Sequence, residues 1–363
     1  MTDAARLKVA IVGLRIHAGT LEPDRGHGLV KSFKAAPGVD VVAYCEWAPD
    51  QAAALGALGQ ADPAARLYTS LDELLQRESF DIAVVMLPPD EAQPTALRLL
   101  QAGKHLFIEK QAARTAAEMR LLVEAAREAG VRVQVGYPWV AHPIAQHMRR
   151  LLDEGVIGRP VDLEVRHVTV KVAPGHRDPQ QWLYRRATEG GGMLHMEGGH
   201  WITLMRYLAG DEVQSVIALC SRTGVGIQDD LEDVSTVAMQ FRGGLHGSLH
   251  MGYLLPLVGP RDDASVVLRG TEGTMTWRPT GEAEFTVVSA TPAWRVAPVR
   301  TFRLDLAQRP VYADEWGYQF VAAFVRAVRD GGAVPVSAQD GLRFLEIVDA
   351  AYESCRSGRR VDL

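Results

Sequence analysis

Short apolar runs alternate with longer amphipathic segments through the first third of the chain. Five of these runs are bounded by turn residues: Leu7–Val12, Val39–Tyr44, Asp81–Leu87, Lys104–Ile108 and Val131–Val135. Between them, Ser70 and Thr115 each precede an amphipathic segment and are followed three positions later by a glutamate, a pattern typical of a capped helix start. Strands that alternate with helices predict βαβ units, and therefore an α/β fold with a doubly wound parallel Rossmann sheet over residues 1–136.

The pattern changes after Gly136, where polar and apolar residues alternate with a period of two. Strands with this alternation are predicted at Val161–Val170, Val213–Ser221, Val234–Phe241, Gly247–Met251, Ala264–Arg269 and Gly273–Trp277. Helices are predicted at Pro143–Asp153, Glu315–Arg329 and Ser337–Ser357. Such alternation favours an antiparallel sheet with one solvated or partner-covered face. We therefore expect residues 137–363 to form an α+β domain with a large, mostly antiparallel open sheet, used for substrate binding and oligomerisation.

Composition excludes some classes of function. The chain has 363 residues, enough for two domains, and a formal net charge of −5 without a block of Lys or Arg, which argues against a nucleic-acid surface. No apolar run approaches membrane length and the first strand follows the start without a signal-peptide pattern, so we expect no membrane partner and a cytoplasmic location. Cys45, Cys220 and Cys355 have no metal-binding or redox spacing and are expected to be reduced thiols.

The apolar run that ends at Ile108 is followed directly by Glu109 and Lys110. In open α/β sheets, ligands bind outside the carboxyl ends of the strands. A lysine at that edge is easily desolvated, and it then exchanges a proton near neutral pH. Taken alone, the pair also fits a strand end with a solvated lysine.

Glu46 ends the second predicted strand. In a dinucleotide fold an acidic residue at this position holds the adenosine ribose, and its charge repels a 2′-phosphate, so NAD is favoured over NADP. A carboxylate in an ordinary strand-end turn is the alternative. The phosphate loop departs from G-x-G-x-x-G, because Arg15 stands where bare backbone is needed, unless an insertion brings Gly26 into that role. The predicted cofactor contacts are Gly13, Leu14, Arg15, Gly26, Glu46, Trp47, Leu87, Pro88 and Glu109.

A second cluster follows the glycine run Gly190–Gly192 on a segment with helical spacing. Glu197 and His200 fall on neighbouring faces of that helix and form a candidate general acid/base unit. The H-x-E-x-x-H spacing also suggests a metal site formed by His195, Glu197 and His200, but helical geometry turns His195 away from the other two, so no metal is predicted. The predicted substrate contacts are Tyr137, His176, Arg177, Trp182 and His195.

Segments along nearly the whole chain resemble the glucose–fructose oxidoreductase / inositol dehydrogenase (Gfo/Idh/MocA) family: VAIVG, DIAVVMLPP, AGKHLFIEK, VRVQVGY, GVIGRP, the GGG…G-x-H run and GTEGTM. The resemblance implies a two-domain, usually NAD(P)-dependent enzyme of carbohydrate metabolism, with Lys110 as the active-site lysine and His200 as the catalytic histidine. It also implies a homodimer or homotetramer formed through the C-terminal sheet. Gln111 replaces the family's usual proline, and Met196 occupies the position of its catalytic aspartate.

Three functions stay open on the sequence. The first is an NAD-dependent oxidoreductase that transfers a hydride to or from a secondary hydroxyl or ketone of a sugar-like or cyclic polyol. There Lys110 binds the reacting oxygen, His200 is the principal acid or base, and Glu197 orients His200. The second is a redox-neutral, NAD-assisted or metal-assisted lyase or glycosidase-type enzyme. The third is a catalytically silent metabolite sensor or accessory subunit.

Overall fold

The computed structural model describes residues 6–14, 28–172, 181–223 and 231–363. The strands, numbered in chain order, are β1 (Leu7–Val12), β2 (Val39–Cys45), β3 (Arg66–Tyr68), β4 (Ile82–Val85), β5 (His105–Ile108), β6 (Val133–Val135), β7 (Pro160–Val170), β8 (Val213–Ser221), β9 (Val234–Phe241), β10 (His246–Leu255), β11 (Asp262–Gly270), β12 (Gly273–Trp277), β13 (Glu284–Ser289), β14 (Val299–Arg303) and β15 (Val361–Asp362). The α-helices are α1 (Gly28–Ala35), α2 (Ala52–Ala61), α3 (Leu71–Arg77), α4 (Pro89–Gln101), α5 (Ala116–Ala129), α6 (Pro143–Asp153), α7 (Arg186–Glu189), α8 (Met193–Ala209), α9 (Asp314–Asp330) and α10 (Ala338–Ser357).

The chain groups into two compact units. The first comprises Met1–Ala141 and Ala307–Leu342, and the second comprises His142–Leu306 and Arg343–Leu363. This grouping is discontinuous along the sequence, whereas the division predicted at residue 136 assumes a single cut. The difference arises because the segment that contains α9 packs with the N-terminal residues.

A six-stranded parallel sheet forms the centre of the first unit, in the order β3-β2-β1-β4-β5-β6. This is the strand order of the doubly wound dinucleotide-binding fold, and it confirms the predicted Rossmann sheet. Strand β4 is buried at every residue, as expected for a central strand covered on both faces. Thr115 accepts a hydrogen bond from Glu118 N at 3.2 Å and Ser70 accepts one from Asp72 N at 3.2 Å, so both predicted helix starts are capped.

A nine-stranded sheet dominates the second unit, in the order β14-β13-β12-β11-β7-β10-β9-β8-β15. Only the central pair β7–β10 is parallel, which confirms a mostly antiparallel sheet. Helix α8 packs against β7, β9 and β10. The sequence pattern did not predict β13 or β14. Strand β14 alternates only between exposed and partly exposed residues and has no buried face, whereas every second residue of β13 is buried.

The expectation of three reduced thiols is wrong. Cys220 and Cys355 form a disulfide with a Cα–Cα distance of 5.8 Å, and only Cys45 is free. The two half-cystines are 135 residues apart, so no local spacing of cysteines indicates the pair. Along the described ranges, no helix is long and apolar enough to span a membrane.

Candidate active site

The turn after β1 requires bare backbone at Gly13. Its φ is +84°, a left-handed conformation that favours glycine. A Cβ there would lie 2.4 Å from Leu87 Cδ2 and 2.8 Å from Met86 O, distances that real Cβ atoms do not show. The chain after β1 therefore lies directly against the turn after β4, which contains Leu87 and Pro88. This is the tight turn that the first glycine of a dinucleotide fold provides.

Glu46 follows β2 and is only 2% exposed. Its Oε2 accepts a hydrogen bond from Leu14 N at 2.8 Å, and its Oε1 accepts hydrogen bonds from Trp47 N and Ala48 N, both at 2.8 Å. The carboxylate thus ties the turn after β1 to the turn after β2. The Trp47 indole N–H donates to Glu91 Oε2 at 3.0 Å and is fixed against α4.

Glu109 and Lys110 emerge at the same edge, because parallel pairing aligns the ends of β1, β2, β4 and β5. Glu109 is 2% exposed, and a Cβ on Gly136 would lie 2.4 Å from Glu109 Oε2, so the glycine after β6 makes room for this carboxylate. Lys110 is partly exposed, and the peptide bond that joins it to Gln111 is cis. Tyr137, the next residue after Gly136, is buried at 2% exposure.

In the second unit, α8 carries the other predicted catalytic residues. Most of this helix is buried, including every residue from Met193 to Met196, whereas Glu197 and His200 are partly exposed. Because residues three apart are neighbours on a helix surface, Glu197 and His200 share the accessible side of α8. A carboxylate beside an imidazole suits general acid/base chemistry.

His195 lies elsewhere on α8. It is 1% exposed, and its Nδ1 is 3.4 Å from Glu189 Oε1, a carboxylate that is also 1% exposed. The helix thus directs His195 inward, away from the side shared by Glu197 and His200. Across the described residues, no group of three or more His, Cys, Asp or Glu side chains is arranged to hold a metal ion.

Met196 has a partner that sequence patterns did not indicate. The hydroxyl of Tyr253 on β10 donates to Met196 Sδ at 3.0 Å, and Tyr253 is completely buried. Tyr253 lies beyond the strand Gly247–Met251 that the sequence pattern predicts. Trp182 is partly exposed in a short 3₁₀ turn. Four predicted contacts lie outside the described residues: Arg15, Gly26, His176 and Arg177.

Two family models match the chain in succession. One described as "Oxidoreductase family, NAD-binding Rossmann fold" matches residues 7–137, and one described as "GFO/IDH/MocA C-terminal domain" matches residues 145–276. Together they span both halves of the chain and agree with the two sheets described above.

Characterised relatives extend this likeness over the full length. The chain is 26% identical to D-apiose dehydrogenase of Paraburkholderia graminis over 363 residues, which cover 100% of this chain and 91% of that protein. It is 24% identical to 1,5-anhydro-D-fructose reductase of Ensifer adhaerens over 301 residues, 81% of this chain and 83% of that one. A solved structure of levoglucosan dehydrogenase in complex with NADH and levoglucosan shares the fold, with a TM-score of 0.83 at 22% identity over 98% of this chain and 99% of that chain.

Proposed function

The chain belongs to the Gfo/Idh/MocA family of oxidoreductases with an NAD-binding Rossmann fold, and we propose that it transfers a hydride to or from a secondary hydroxyl or ketone of a sugar-like or cyclic polyol. The observation that carries this proposal is the common position of Glu46 and Lys110 at the carboxyl edge of the first sheet. The sugar-derived names of the relatives support the substrate class.

The residues at this edge fit NAD. The turn at Gly13 is tight enough to require glycine, and Glu46 lies at the end of β2, the position from which an acidic residue binds ribose hydroxyls and opposes a 2′-phosphate. Leu14, Trp47, Leu87 and Pro88 surround these two residues and would complete the contact surface, with Glu109 beside Lys110. When bound, NAD supplies the acceptor or donor of the hydride.

We assign proton transfer to side chains of the protein itself. As an alcohol becomes a ketone, its hydroxyl proton must leave while the carbon loses a hydride. Lys110 Nζ would hydrogen-bond the reacting oxygen, and the His200 imidazole would take or return the proton. Glu197, on the same accessible side of α8, would orient His200. Tyr137, Trp182 and His195 stay as predicted substrate contacts, of which Trp182 is the most exposed.

The test is to titrate NADH into the purified protein and then assay a panel of sugars and cyclic polyols with NAD. Replacing Lys110 with Ala should abolish turnover, on the order of a thousandfold, and leave NADH binding nearly unchanged. Lys104→Ala is the matched control, because Lys104 stands just before the opposite end of β5 and donates to Phe80 O at 2.8 Å. Loss of NADH binding in a folded Lys110→Ala protein would contradict the assigned role.

We also propose a homodimer or homotetramer formed through the nine-stranded sheet. On its last long strand, β8, Ile217 is 50% exposed and Leu219 is 76% exposed. Nearer the centre of the sheet, Arg166 and Asp263 are partly exposed and form a salt bridge of 2.8 Å. The exposed side chains of this sheet therefore include both apolar and charged groups. Sedimentation that gives a monomer at every protein concentration would contradict this assembly.

We propose the cytoplasm as the compartment, following the expectation from the sequence. The Cys220–Cys355 disulfide counts against this compartment, because disulfides are rare in cytosolic proteins. Cell fractionation tests the proposal, and recovery of the protein outside the cytoplasm would contradict it.

A further inference from the structure

Helix α8, which carries Glu197 and His200, begins without a local cap. Its N-cap residue is Gly192, which has no side chain, and its first turn contains no acidic residue. The first N–H groups of a helix have no partner inside the helix and need one from elsewhere. Serine, threonine, aspartate or asparagine at the N-cap usually provides it.

A single distant residue accepts hydrogen bonds from three of the first four N–H groups. Glu232 accepts hydrogen bonds from Gly192 N at 3.1 Å and Leu194 N at 2.9 Å through its carboxylate, and from Met193 N at 3.1 Å through its backbone carbonyl. Glu232 is 5% exposed, and it lies 40 positions beyond Gly192 in the sequence. A carboxylate at a helix N-terminus is also favoured by the helix dipole.

Tyr352 on α10 holds this carboxylate in place. Its hydroxyl donates to Glu232 Oε1 at 3.0 Å and accepts a hydrogen bond from Gly192 N at 3.2 Å. Burial, with the neighbouring Glu232 carboxylate, raises the pKa of Tyr352 well above 10, so the phenol stays a donor. Glu232, Tyr352 and the start of α8 therefore form one closed hydrogen-bond network, which we call the α8 cap.

The glycine run has its explanation in the α8 cap. A Cβ on Gly191 would lie 2.2 Å from Tyr352 Oη, and a Cβ on Gly192 would lie 2.0 Å from Glu232 O. Both positions must be bare for the cap to approach the helix start. At these two positions the glycines therefore allow close packing within the protein.

We propose that Glu232 and Tyr352 are positioning residues for His200, and that the α8 cap sets the rotation of α8 and with it the direction of the His200 imidazole. The inference rests on the proposed acid/base role of His200. His200 is six residues beyond Leu194, about 9 Å along the helix axis. A rotation of about 10° would move a side chain that reaches about 6 Å from the axis by roughly 1 Å. A displacement of this size can cost on the order of a hundredfold in rate.

Kinetics of Glu232→Gln and Tyr352→Phe test the proposal. Each should lower kcat for the panel substrate, on the order of tenfold to a hundredfold, while the Kd for NADH changes less than about twofold. Glu212→Gln is the matched control. It makes the same chemical change at the other end of α8, where Glu212 pairs with Arg206 at 2.6 Å, and it should keep the wild-type kcat. Equal kcat in all three variants would overturn the proposal.

A spectroscopic measurement separates this inference from the proposed function. In protein with 15N-labelled histidine, the His200 ring resonances, assigned with His200→Gln, should shift in Glu232→Gln and Tyr352→Phe and stay in place in Glu212→Gln. Absence of turnover across the panel would count against the proposed function alone. Unmoved His200 resonances in both cap variants would count against positioning, whatever the substrate.

Discussion

The two sets of candidate residues are held in place by different means. At the carboxyl edge of the first sheet, Glu46, Glu109 and Lys110 directly follow strands, so the parallel sheet brings them to one edge as soon as it pairs. On α8, the position of His200 depends on contacts from Glu232 and Tyr352, which lie 40 and 160 positions beyond Gly192. The first arrangement is encoded locally and the second is encoded at long range.

This difference explains what each region tolerates. A strand end survives many changes in its neighbours, because backbone pairing with the adjacent strands fixes it. A helix start that depends on a distant carboxylate fails when either side of the contact changes. We therefore expect substitutions at the α8 cap to have larger effects on the free energy of unfolding than comparable substitutions at the sheet edge.

Gly192→Ala should have the largest effect. The new Cβ would lie 2.0 Å from Glu232 O and 2.6 Å from Glu232 Oε2, so the carboxylate must leave the helix start. We expect a loss of about 3 to 5 kcal/mol in the free energy of unfolding, measured by urea denaturation. The control is Gly198→Ala in the same helix, whose Cβ would lie 3.3 Å from Leu194 Cδ1 and at ordinary contact distances from Phe344 and Ile202. Alanine is favoured over glycine inside helices by about 1 kcal/mol, so equal losses in the two variants would refute long-range capping.

Gly13→Ala tests the sheet edge and should have a smaller effect on folding. We expect a loss of about 2 to 3 kcal/mol, because the left-handed φ of +84° is strained for alanine and the Cβ would overlap Leu87. NADH affinity should fall at least about tenfold, since the backbone beside the pyrophosphate must shift. Gly103→Ala is the control, with φ of +72° and nothing within 4 Å of the new Cβ. If NADH affinity falls by the same factor in both variants, the cause is strain at a left-handed φ and not the close contact between Gly13 and Leu87.

Features that local sequence encodes could be predicted from the sequence, whereas features that depend on long-range contacts could not. Strands β1, β8 and β9 and helix α6 were predicted to the residue, because their apolar spacing and turn residues are local signals. The Rossmann strand order followed from alternation of strands and helices. The accessible side shared by Glu197 and His200 followed from helical spacing, whereas their chemical roles stay predictions.

Long-range contacts were not accessible in this way. The Cys220–Cys355 disulfide, the hydrogen bond from Tyr253 to Met196 and the α8 cap each join residues that are distant in sequence. Periodicity reports which face of an element is buried and does not report what packs against it. The glycine run was the one local sign of the α8 cap, and it is equally consistent with a ligand site.

His142 provides a local cap in the same unit as α8, and its effect should be the smallest of the three. Its Nδ1 accepts a hydrogen bond from Ile144 N at 3.2 Å at the start of α6, and burial lowers its pKa to about 4. Since the unfolded pKa is about 6.5, the stabilisation by neutral His142 is complete above that pH and is lost as pH falls towards 4. Between pH 7 and pH 5 the free energy of unfolding of the wild type should therefore fall by about 2 kcal/mol more than that of His142→Asn, because asparagine still caps α6 but does not titrate.

Urea denaturation at several pH values measures this difference, and subtracting the two variants cancels all other titrating groups. His246→Asn is the control, because His246 is exposed on β10 and caps no helix. Its difference from wild type gives the baseline for the loss of a histidine that caps no helix. A flat difference for His142→Asn would mean that neutral His142 is not required at the start of α6, and that the contrast between local and distant capping does not extend to this helix.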